Sequence, residues 1–196
     1  APIYGLFAMP DGVGCAVHAG AKLYFRAPDG TQTALCSDMN EAFSQSFTMK
    51  GVLYLMDGKT YRAVRKSSKN TAWEAVSVSG TAYVPTTTIS AAPTGGGTSY
   101  EAVNLLTPKR INTFIGDGTA TQFKVDATDL DATAVTAEVN GSSVTVSAVN
   151  RSTGLVTLAA APANGNGLAN VSIAFAKTVS GHADKINKCR FAGLYG

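Results

Sequence analysis

The sequence is poor in charged residues and has no long apolar run. Only 15% of its 196 residues are Asp, Glu, Lys or Arg, whereas 45% are hydrophobic. Disordered chains show the opposite balance, so this composition excludes disorder and predicts a folded core. No apolar stretch approaches the roughly eighteen residues that a membrane-spanning helix needs, and we expect no membrane span.

Net charge and cysteine content are also low. A formal charge of +3 is too small for composition alone to predict nucleic-acid binding. The three cysteines, Cys15, Cys36 and Cys189, are odd in number and far apart, which excludes a closed disulfide framework. We therefore expect a reducing compartment, or at most one disulfide with a spare thiol.

The ends of the sequence carry no targeting signal. The sequence begins at Ala1-Pro2 without an initiator Met, a charged n-region or an apolar segment, so no signal peptide is predicted. It stops within the apolar stretch Leu194-Tyr195-Gly196. We expect both ends to continue in a longer protein.

Common catalytic motifs are missing as well. There is no G-x-S-x-G nucleophile elbow and no H-E-x-x-H zinc helix, and the two histidines, His18 and His182, lie far apart. A glycosidase needs two carboxylates in one cleft, but the four glutamates are isolated in sequence. We predict that the protein is not an enzyme; polysaccharide hydrolysis would require the fold to bring two carboxylates together.

Metal-ligating residue types occur in two groups. Cys15 and His18 have half of a zinc spacing, but strand alternation places them on opposite faces. A complete zinc site would need further ligands, for which Cys36, His182 and Cys189 are the remaining Cys and His residues. Asp126, Asp129 and Asp131 offer oxygen ligands of the kind that calcium uses, without the glycine and distal glutamate of an EF-hand loop. We predict neither a metal site nor a cofactor.

Alternation with a period of two dominates the chain. Short β-branched or aromatic runs bounded by turn residues are typical of strands. They lie at residues 24–25, 52–56, 73–78, 135–139, 144–149, 155–158 and 171–175. An all-β chain is therefore predicted. The exception is one or two helical turns over residues 37–43, where Asp38 and Glu41 resemble a capping box.

Residue pairs that end in glycine lie between these runs and predict tight hairpins. Glycine supplies the positive φ that such turns need. The pairs are Asp29-Gly30, Asp57-Gly58, Asp117-Gly118, Asn140-Gly141 and Thr153-Gly154. In the first half, Leu23-Tyr24 and Leu53-Tyr54 each begin a strand, glycine turn, strand pattern, as in β-propeller blades or a stacked β-meander. Two copies are too few to close a ring, so a partial propeller is predicted.

The second half has a different texture. Residues 84–99 are rich in Thr, Pro and Gly, which predicts an extended connector whose Gly95-Gly96-Gly97 run is a flexible hinge rather than a phosphate cradle. Residues 110–177 contain six or seven short alternating runs, as in a small antiparallel, immunoglobulin-like β-sandwich. Its expected core is Phe114, Phe123, Val125, Val139, Val146, Leu158, Ile173 and Phe175.

The last residues return to the strand pattern of the first half, over residues 185–195. We therefore predict two domains, because a surface loop with close ends accepts an inserted domain at little energetic cost. A discontinuous propeller-like or β-meander domain, itself part of a larger one, takes residues 1–109 and 178–196. The β-sandwich over residues 110–177 is inserted into it.

Several glycine-turn motifs of the second half form a set. They are residues 116–123, Val139-Asn140-Gly141, residues 154–158 and Ala161-Pro162. This set resembles the small β-sandwich of tailed-bacteriophage virion proteins. The flanks at residues 83–86 and 104–110 resemble phage neck and tail proteins that carry this sandwich inside a β-propeller. Leu53-Tyr54-x-x-x-Gly58 is similar to their blade-hairpin motif.

The resemblance implies a structural component of the virion, in the head-to-tail connector, neck or tail. Such a protein acts through subunit contacts, with other virion proteins and further copies of itself as partners. It is assembled in the bacterial cytoplasm and resides in the virion. The alternative from another class is a tail module that binds a receptor or a carbohydrate.

Two groups of residues are candidates for ligand contact. Arg62, Arg65, Lys66 and Lys69 form the one basic cluster, which either touches genomic DNA in a tail channel or is a solvated hairpin end. The aromatic residues near it are Tyr61, Trp73 and Tyr83. They either offer a stacking surface for a sugar or base, or pack within the fold.

Overall fold

The computed structural model describes residues 1–69 and 71–193, which form a nearly all-β chain of two compact units. The first unit contains Ala1–Ala82 and the segment from Gly181 onward, and the second contains Tyr83–Ser180. Across the part of the chain that is described, no helix combines the length and apolarity needed to cross a membrane.

The first unit consists of two four-stranded antiparallel sheets. Within each sheet every strand pairs with the next one along the chain, and neither sheet closes on itself. The first sheet contains β1 (Ile3–Ala8), β2 (Cys15–Ala19), β3 (Lys22–Arg26) and β4 (Gln32–Cys36). The second contains β5 (Gln45–Met49), β6 (Val52–Met56), β7 (Tyr61–Lys66) and β8 (Trp73–Ser77).

The core of the first unit takes buried side chains from both sheets and from the loops beside them. These side chains are Met9, Ala16, Leu23, Met39, Leu53, Leu55 and Val64. The repeated Leu-Tyr pairs contribute Leu23 and Leu53 to this core. Leu23 lies in the third strand of its sheet but Leu53 in the second, so the two copies occupy different positions in their sheets.

The second unit has a six-stranded and a three-stranded sheet. The larger sheet has the order β10-β9-β11-β17-β13-β14, and the smaller β12-β16-β15. The strands of the larger sheet are β9 (Thr86–Ala91), β10 (Thr98–Ser99), β11 (Lys109–Phe114), β13 (Thr136–Val139), β14 (Ser142–Val144) and β17 (Val171–Ala176). Those of the smaller sheet are β12 (Gln122–Lys124), β15 (Val146–Asn150) and β16 (Leu155–Leu158). All pairings are antiparallel except that of β9 with β11.

The core of the second unit receives apolar side chains from both of its sheets. Six of the eight expected core residues are buried: Phe114, Phe123, Val125, Leu158, Ile173 and Phe175. Val139 and Val146 pack against this cluster and are partly buried. Phe114 and Phe123 meet edge to face, with ring centroids 5.3 Å apart, which is a favourable aromatic geometry.

The prediction of an extended connector over residues 84–99 is wrong. Thr86–Ala91 forms β9, which pairs in parallel with β11, and the second unit accordingly begins at Tyr83. The run lacks an apolar period because Thr87 and Thr88 are buried by hydrogen bonding instead: both hydroxyls donate to Asp126 Oδ2 over 2.7 Å. Threonine is β-branched, and a satisfied hydroxyl can be buried in a sheet without penalty.

Two further expectations from the sequence are also wrong. Residues 37–43 form no helix; their backbone follows bends, and Asn40 bonds to Asp57 rather than continuing a helical turn. Among the described residues of 185–193 there is no strand, and Leu194 and Tyr195 lie outside the described residues. The segment instead contains the short helix α1 (Asp184–Asn187), beside which Lys188 Nζ lies 3.0 Å from Asp184 Oδ2. The only other helical element described is the 3₁₀ turn Val78–Thr81.

Gly30, Gly58, Gly118, Gly141 and Gly154 all have the predicted positive φ. Four of these turns join paired strands, but Asp117-Gly118 lies between β11 and β12 of different sheets, so the hairpin predicted there is wrong. Two of them differ in their surroundings. A Cβ at Gly141 would meet nothing within 4 Å, whereas a Cβ at Gly154 would overlap the carbonyl oxygen of Ala127.

We expect Gly154→Ala to destabilise the second unit much more than Gly141→Ala. Both substitutions place alanine at positive φ, which costs about 1–2 kcal/mol. Only Gly154→Ala adds a backbone clash, so its total cost should reach about 3 kcal/mol or more. Urea unfolding followed by circular dichroism measures both. Equal losses of unfolding free energy would contradict the packing described at Gly154.

Candidate functional site

Strand β7 carries most of the basic cluster that the sequence indicates as a DNA contact. Successive side chains of a strand point to opposite faces. Arg62 and Lys66 therefore share the face of buried Val64, whereas Arg65 lies on the other face. Lys69 lies in the exposed turn after β7. The four cations are divided between two faces of the sheet and a turn.

Carboxylates pair with three of these four cations. Arg62 pairs with Asp38, Arg65 Nε lies 3.0 Å from Glu74 Oε1, and Lys66 Nζ lies 2.9 Å from Asp11 Oδ2. The hydrogen bond from Lys66 lowers the pKa of Asp11 below its ordinary value. Within residues 1–69 and 71–193 no carboxylate pairs with Lys69. Most of the charge of the cluster is thus compensated, and DNA contact there stays a prediction.

The two aromatic candidates near this cluster pack within the first unit. Tyr61 lies 6.0 Å from Tyr54 between ring centroids, and Tyr54 stacks on Phe47 at 5.0 Å. Burial is the main cause that raises the pKa of Tyr61, and the neighbouring Tyr54 raises it further. Trp73 packs against the core and lies 6.3 Å from Phe25, with Lys66 Nζ 5.2 Å from its ring centroid. Both residues are half-buried, and a stacking role for them stays a prediction.

Asp57 organises the loops of the first unit. Its side chain is fully buried and accepts hydrogen bonds from the amides of Asn40, Lys59 and Thr60 and from the Thr60 hydroxyl, over 2.5–2.8 Å. Burial by itself raises the pKa of Asp57, but the amides of Asn40, Thr60 and Lys59 together outweigh it and hold the pKa below the ordinary value. Asp57 thus holds the turn after β6 and the loop before β5 in place.

A buried histidine lies near this carboxylate. His18 is fully buried, its Nδ1 lies 3.0 Å from Ser44 Oγ, and its ring centroid is 5.4 Å from that of Tyr4. Its Nε2 is buried without a hydrogen-bond partner. Burial lowers the pKa of His18, and the charge of Asp57 opposes this only in part. A serine hydroxyl beside an imidazole is of the type that serves as nucleophile and base, but Ser44 and His18 are both buried.

The metal-ligand groups of the sequence do not converge. Among the described residues no three His, Cys, Asp or Glu side chains come together. Asp126 accepts hydrogen bonds from Thr87 and Thr88, whereas Asp131 accepts from the amide and hydroxyl of Thr178. Asp129 contributes its backbone carbonyl to Lys177 Nζ, at 2.9 Å. Asp126 is thus engaged by β9, whereas Asp129 and Asp131 are engaged by two consecutive residues that follow β17.

Two surface depressions of the second unit come from the fold. The first, here called the apolar groove, has a volume of about 430 Å³ and is lined by Tyr83, Ile89, Tyr100, Glu101 and Val103, with Pro85 and Thr86. The sequence indicates Tyr83 by its nearness to Trp73, and residues 83–86 by their resemblance to a flank in phage proteins. Ile89, Tyr100 and Val103 have no sequence signal, because they lie in the predicted connector and its continuation.

The second depression, here called the glycine-turn pocket, has a volume of about 450 Å³. Its polar lining contains Lys124, Asp126, Ser99 and Thr94, and the Gly95-Gly96-Gly97 run lines it as well. The tight turn here is Ala92-Pro93-Thr94-Gly95, in which the Gly95 amide donates to the Ala92 carbonyl over 2.8 Å, and Gly96 and Gly97 follow it. The run therefore connects two paired strands, β9 and β10, where the sequence predicts a hinge.

The chain matches no protein-family model, no curated protein and no solved structure. The tailed-phage resemblance therefore depends on the sequence motifs alone.

We expect the stability of the first unit to fall as the pH decreases below about 6.5. The folded pKa of His18 is lowered from 6.5, so unfolded His18 takes up a proton at a pH where buried His18 remains neutral. This contribution to stability is fully present above the unfolded pKa and is lost as the pH falls toward the folded pKa. Asp57 adds a separate loss only below about pH 3.8, because its pKa is lowered from that value.

Urea unfolding followed by the fluorescence of Trp73, the single tryptophan, measures this dependence. Between about pH 5 and 7 the wild type should lose stability with decreasing pH, and His18→Gln should lose less. His182→Gln, a substitution of the same kind outside the core, should retain the wild-type slope. A slope unchanged by His18→Gln would contradict the assignment.

Proposed function

We propose that this chain is a structural subunit of a tailed-bacteriophage virion, in the connector, neck or tail, and that it acts through contacts with neighbouring subunits. The sequence resemblance supports the virus class. The nearly all-β architecture, with several antiparallel sheets, is the kind of scaffold that such a subunit requires.

The sheet arrangement is compatible with the finer form of this proposal. Two four-stranded meanders that share one core have the strand order of propeller blades. The two sheets of the second unit contribute inner faces to one apolar core, as in a β-sandwich. We propose that the first unit is part of a propeller and that the second is the sandwich inserted into it.

The apolar groove is the observation that carries the proposal. Tyr83 and Val103 are 69% and 81% exposed, and Ile89 and Tyr100 lie with them in the same depression. Exposed apolar side chains grouped in a concavity mark interaction sites, and tyrosine is enriched at protein interfaces. Because virion subunits are present in many copies, we assign the groove to contact with a second copy of this chain in the assembled particle.

A second apolar surface lies on the first unit. Edge strand β1 exposes Ile3 and Leu6, and the nearby Phe43 is 76% exposed. Among the described residues β1 pairs only with β2. An edge strand with apolar side chains is a template for pairing with another chain. Two separate apolar surfaces suit a subunit that has more than one neighbour.

The other sequence-based contacts add little to this proposal. Three cations of the basic cluster already have carboxylate partners. Tyr61 and Trp73 pack against neighbouring side chains of the first unit, so they give little support to the alternative of a carbohydrate-binding tail module.

We expect Val103→Glu to weaken self-association of the chain. A carboxylate in the groove would be desolvated in the interface without a partner, which opposes burial. Sedimentation velocity over a range of protein concentrations should show a wild-type oligomer whose dissociation constant rises at least tenfold in the variant. Leu168→Glu, at a 75% exposed leucine outside the groove, is the matched control and should associate like the wild type.

Mass spectrometry of purified phage particles tests the virion assignment itself. The chain should be present at a fixed stoichiometry in particles of the phage that encodes it. Recovery only from the lysate supernatant would contradict the proposal. A wild-type chain that stays monomeric at every concentration would remove the assigned role of the groove.

A further inference from the structure

The glycine-turn pocket contains an anchored carboxylate. Asp126 Oδ2 accepts hydrogen bonds from the Thr87 and Thr88 hydroxyls and from Asn112 Nδ2, over 2.7–2.9 Å. In return, the Asp126 amide donates to Asn112 Oδ1 over 2.8 Å. Asn112, Thr87 and Thr88 are all buried. This network fixes one carboxylate oxygen and leaves Asp126, an exposed residue, facing the pocket that it lines.

A lysine lies beside this carboxylate. Lys124 lines the same pocket, two residues from Asp126 and thus on the same side of the chain. Its Cγ lies 3.5 Å from the place of a Cβ at Gly95, so its aliphatic stem packs on the glycine turn. Across residues 1–69 and 71–193 no carboxylate pairs with Lys124. Its ammonium group is available to a ligand.

The glycine turn leaves open space next to these two charges. Gly95, Gly96 and Gly97 all have positive φ, which disfavours other residues. A Cβ at Gly97 would lie 2.6 Å from the Ile89 carbonyl oxygen, so the close approach of the turn to β9 also requires glycine there. Thr94 and Ser99, which carry hydroxyl groups, line the same pocket.

These groups favour one class of ligand. A simple anion would be attracted by Lys124 but repelled by Asp126, and a simple cation would meet the reverse. A molecule that both donates and accepts hydrogen bonds satisfies both groups, and a sugar hydroxyl does so. The pocket volume of about 450 Å³ lies in the lower part of the range for small-molecule sites, which suits a single sugar residue.

We propose that the glycine-turn pocket binds a saccharide residue with neighbouring hydroxyl groups. Asp126 accepts hydrogen bonds from these hydroxyls, Lys124 donates to sugar oxygens, and the bare glycine turn accommodates the ring. This binding site is additional to the structural role and does not depend on it, since the carbohydrate contact uses residues that the apolar groove does not share.

Saturation-transfer-difference NMR with the full chain tests this site. The probes are the methyl glycosides of glucose, galactose, mannose, rhamnose and N-acetylglucosamine, with inorganic phosphate and glycine as an anion and a zwitterion for comparison. We expect at least one glycoside to bind with a dissociation constant of about 1 mM, as befits one shallow site. Phosphate and glycine should not compete with it.

Two variants locate the binding. Asp126→Asn can keep an oxygen toward the three buried donors while it removes the negative charge from the pocket, and Lys124→Gln removes the ammonium group without touching the network. Each should weaken glycoside binding at least tenfold. Lys109→Gln, at an exposed lysine outside the pocket, is the matched control and should bind like the wild type.

Circular dichroism shows whether each variant folds. If Asp126→Asn does not fold, the result for Lys124→Gln alone decides the test. The proposal is overturned if no glycoside binds the wild type, if Lys124→Gln binds as tightly as Lys109→Gln, or if phosphate or glycine displaces the sugar. Because Val103→Glu leaves the pocket intact, loss of self-association with retained sugar binding would separate this site from the assembly role.

Discussion

The second unit depends on one buried carboxylate network. Asp126 lies just after β12, Asn112 in β11, and Thr87 and Thr88 in β9, so a single side-chain oxygen connects three strand segments. Buried hydroxyl groups require partners, and without Asp126 the hydroxyls of Thr87 and Thr88 would lose the acceptor that they share. The network joins β9 to β11, which pair in parallel, and both the groove and the pocket take lining residues from β9.

The first unit uses the same kind of anchor. Asp57 directly follows β6 and accepts hydrogen bonds from the amides of three residues in two loops. These bonds hold the bent segment that precedes β5 in place. In a chain with so few charged residues, both aspartates have structural roles, Asp57 as a buried residue and Asp126 as an exposed one. The hydrogen bonds by which Asp57 anchors these loops also lower its pKa, because several amides stabilise the carboxylate form more than burial disfavours it.

The surfaces follow from which side chains the two anchors leave free. In the first unit, three of the four cations of the basic cluster have carboxylate partners, and Tyr61 and Trp73 beside them pack against other aromatic rings. The second unit instead exposes an apolar groove and a polar pocket. An assembly subunit requires the former, because apolar area removed from water is the main driving force for association.

Local pattern was enough for the strands and turns. The run at 52–56 is β6, the run at 155–158 is β16, and the five glycine turns have positive φ, because alternation and glycine φ are properties of short segments. Six of eight expected core residues of the second unit are buried for the same reason. The all-β class was therefore determined by the sequence itself.

What the sequence alone did not determine depends on partners distant along the chain. The sequence predicts a connector at Thr87 and Thr88 because their partner Asp126 is almost forty residues away. It predicts a helix over residues 37–43 because the local pattern does not show that Asn40 bonds to Asp57, which follows β6. The charge pairs of Arg62 and Lys66 likewise join separate loops to β7. Alternation states which side chains share a face, but only the tertiary structure decides what that face meets, since hydrogen bonds and ion pairs act over a few ångströms in space whatever their separation in sequence.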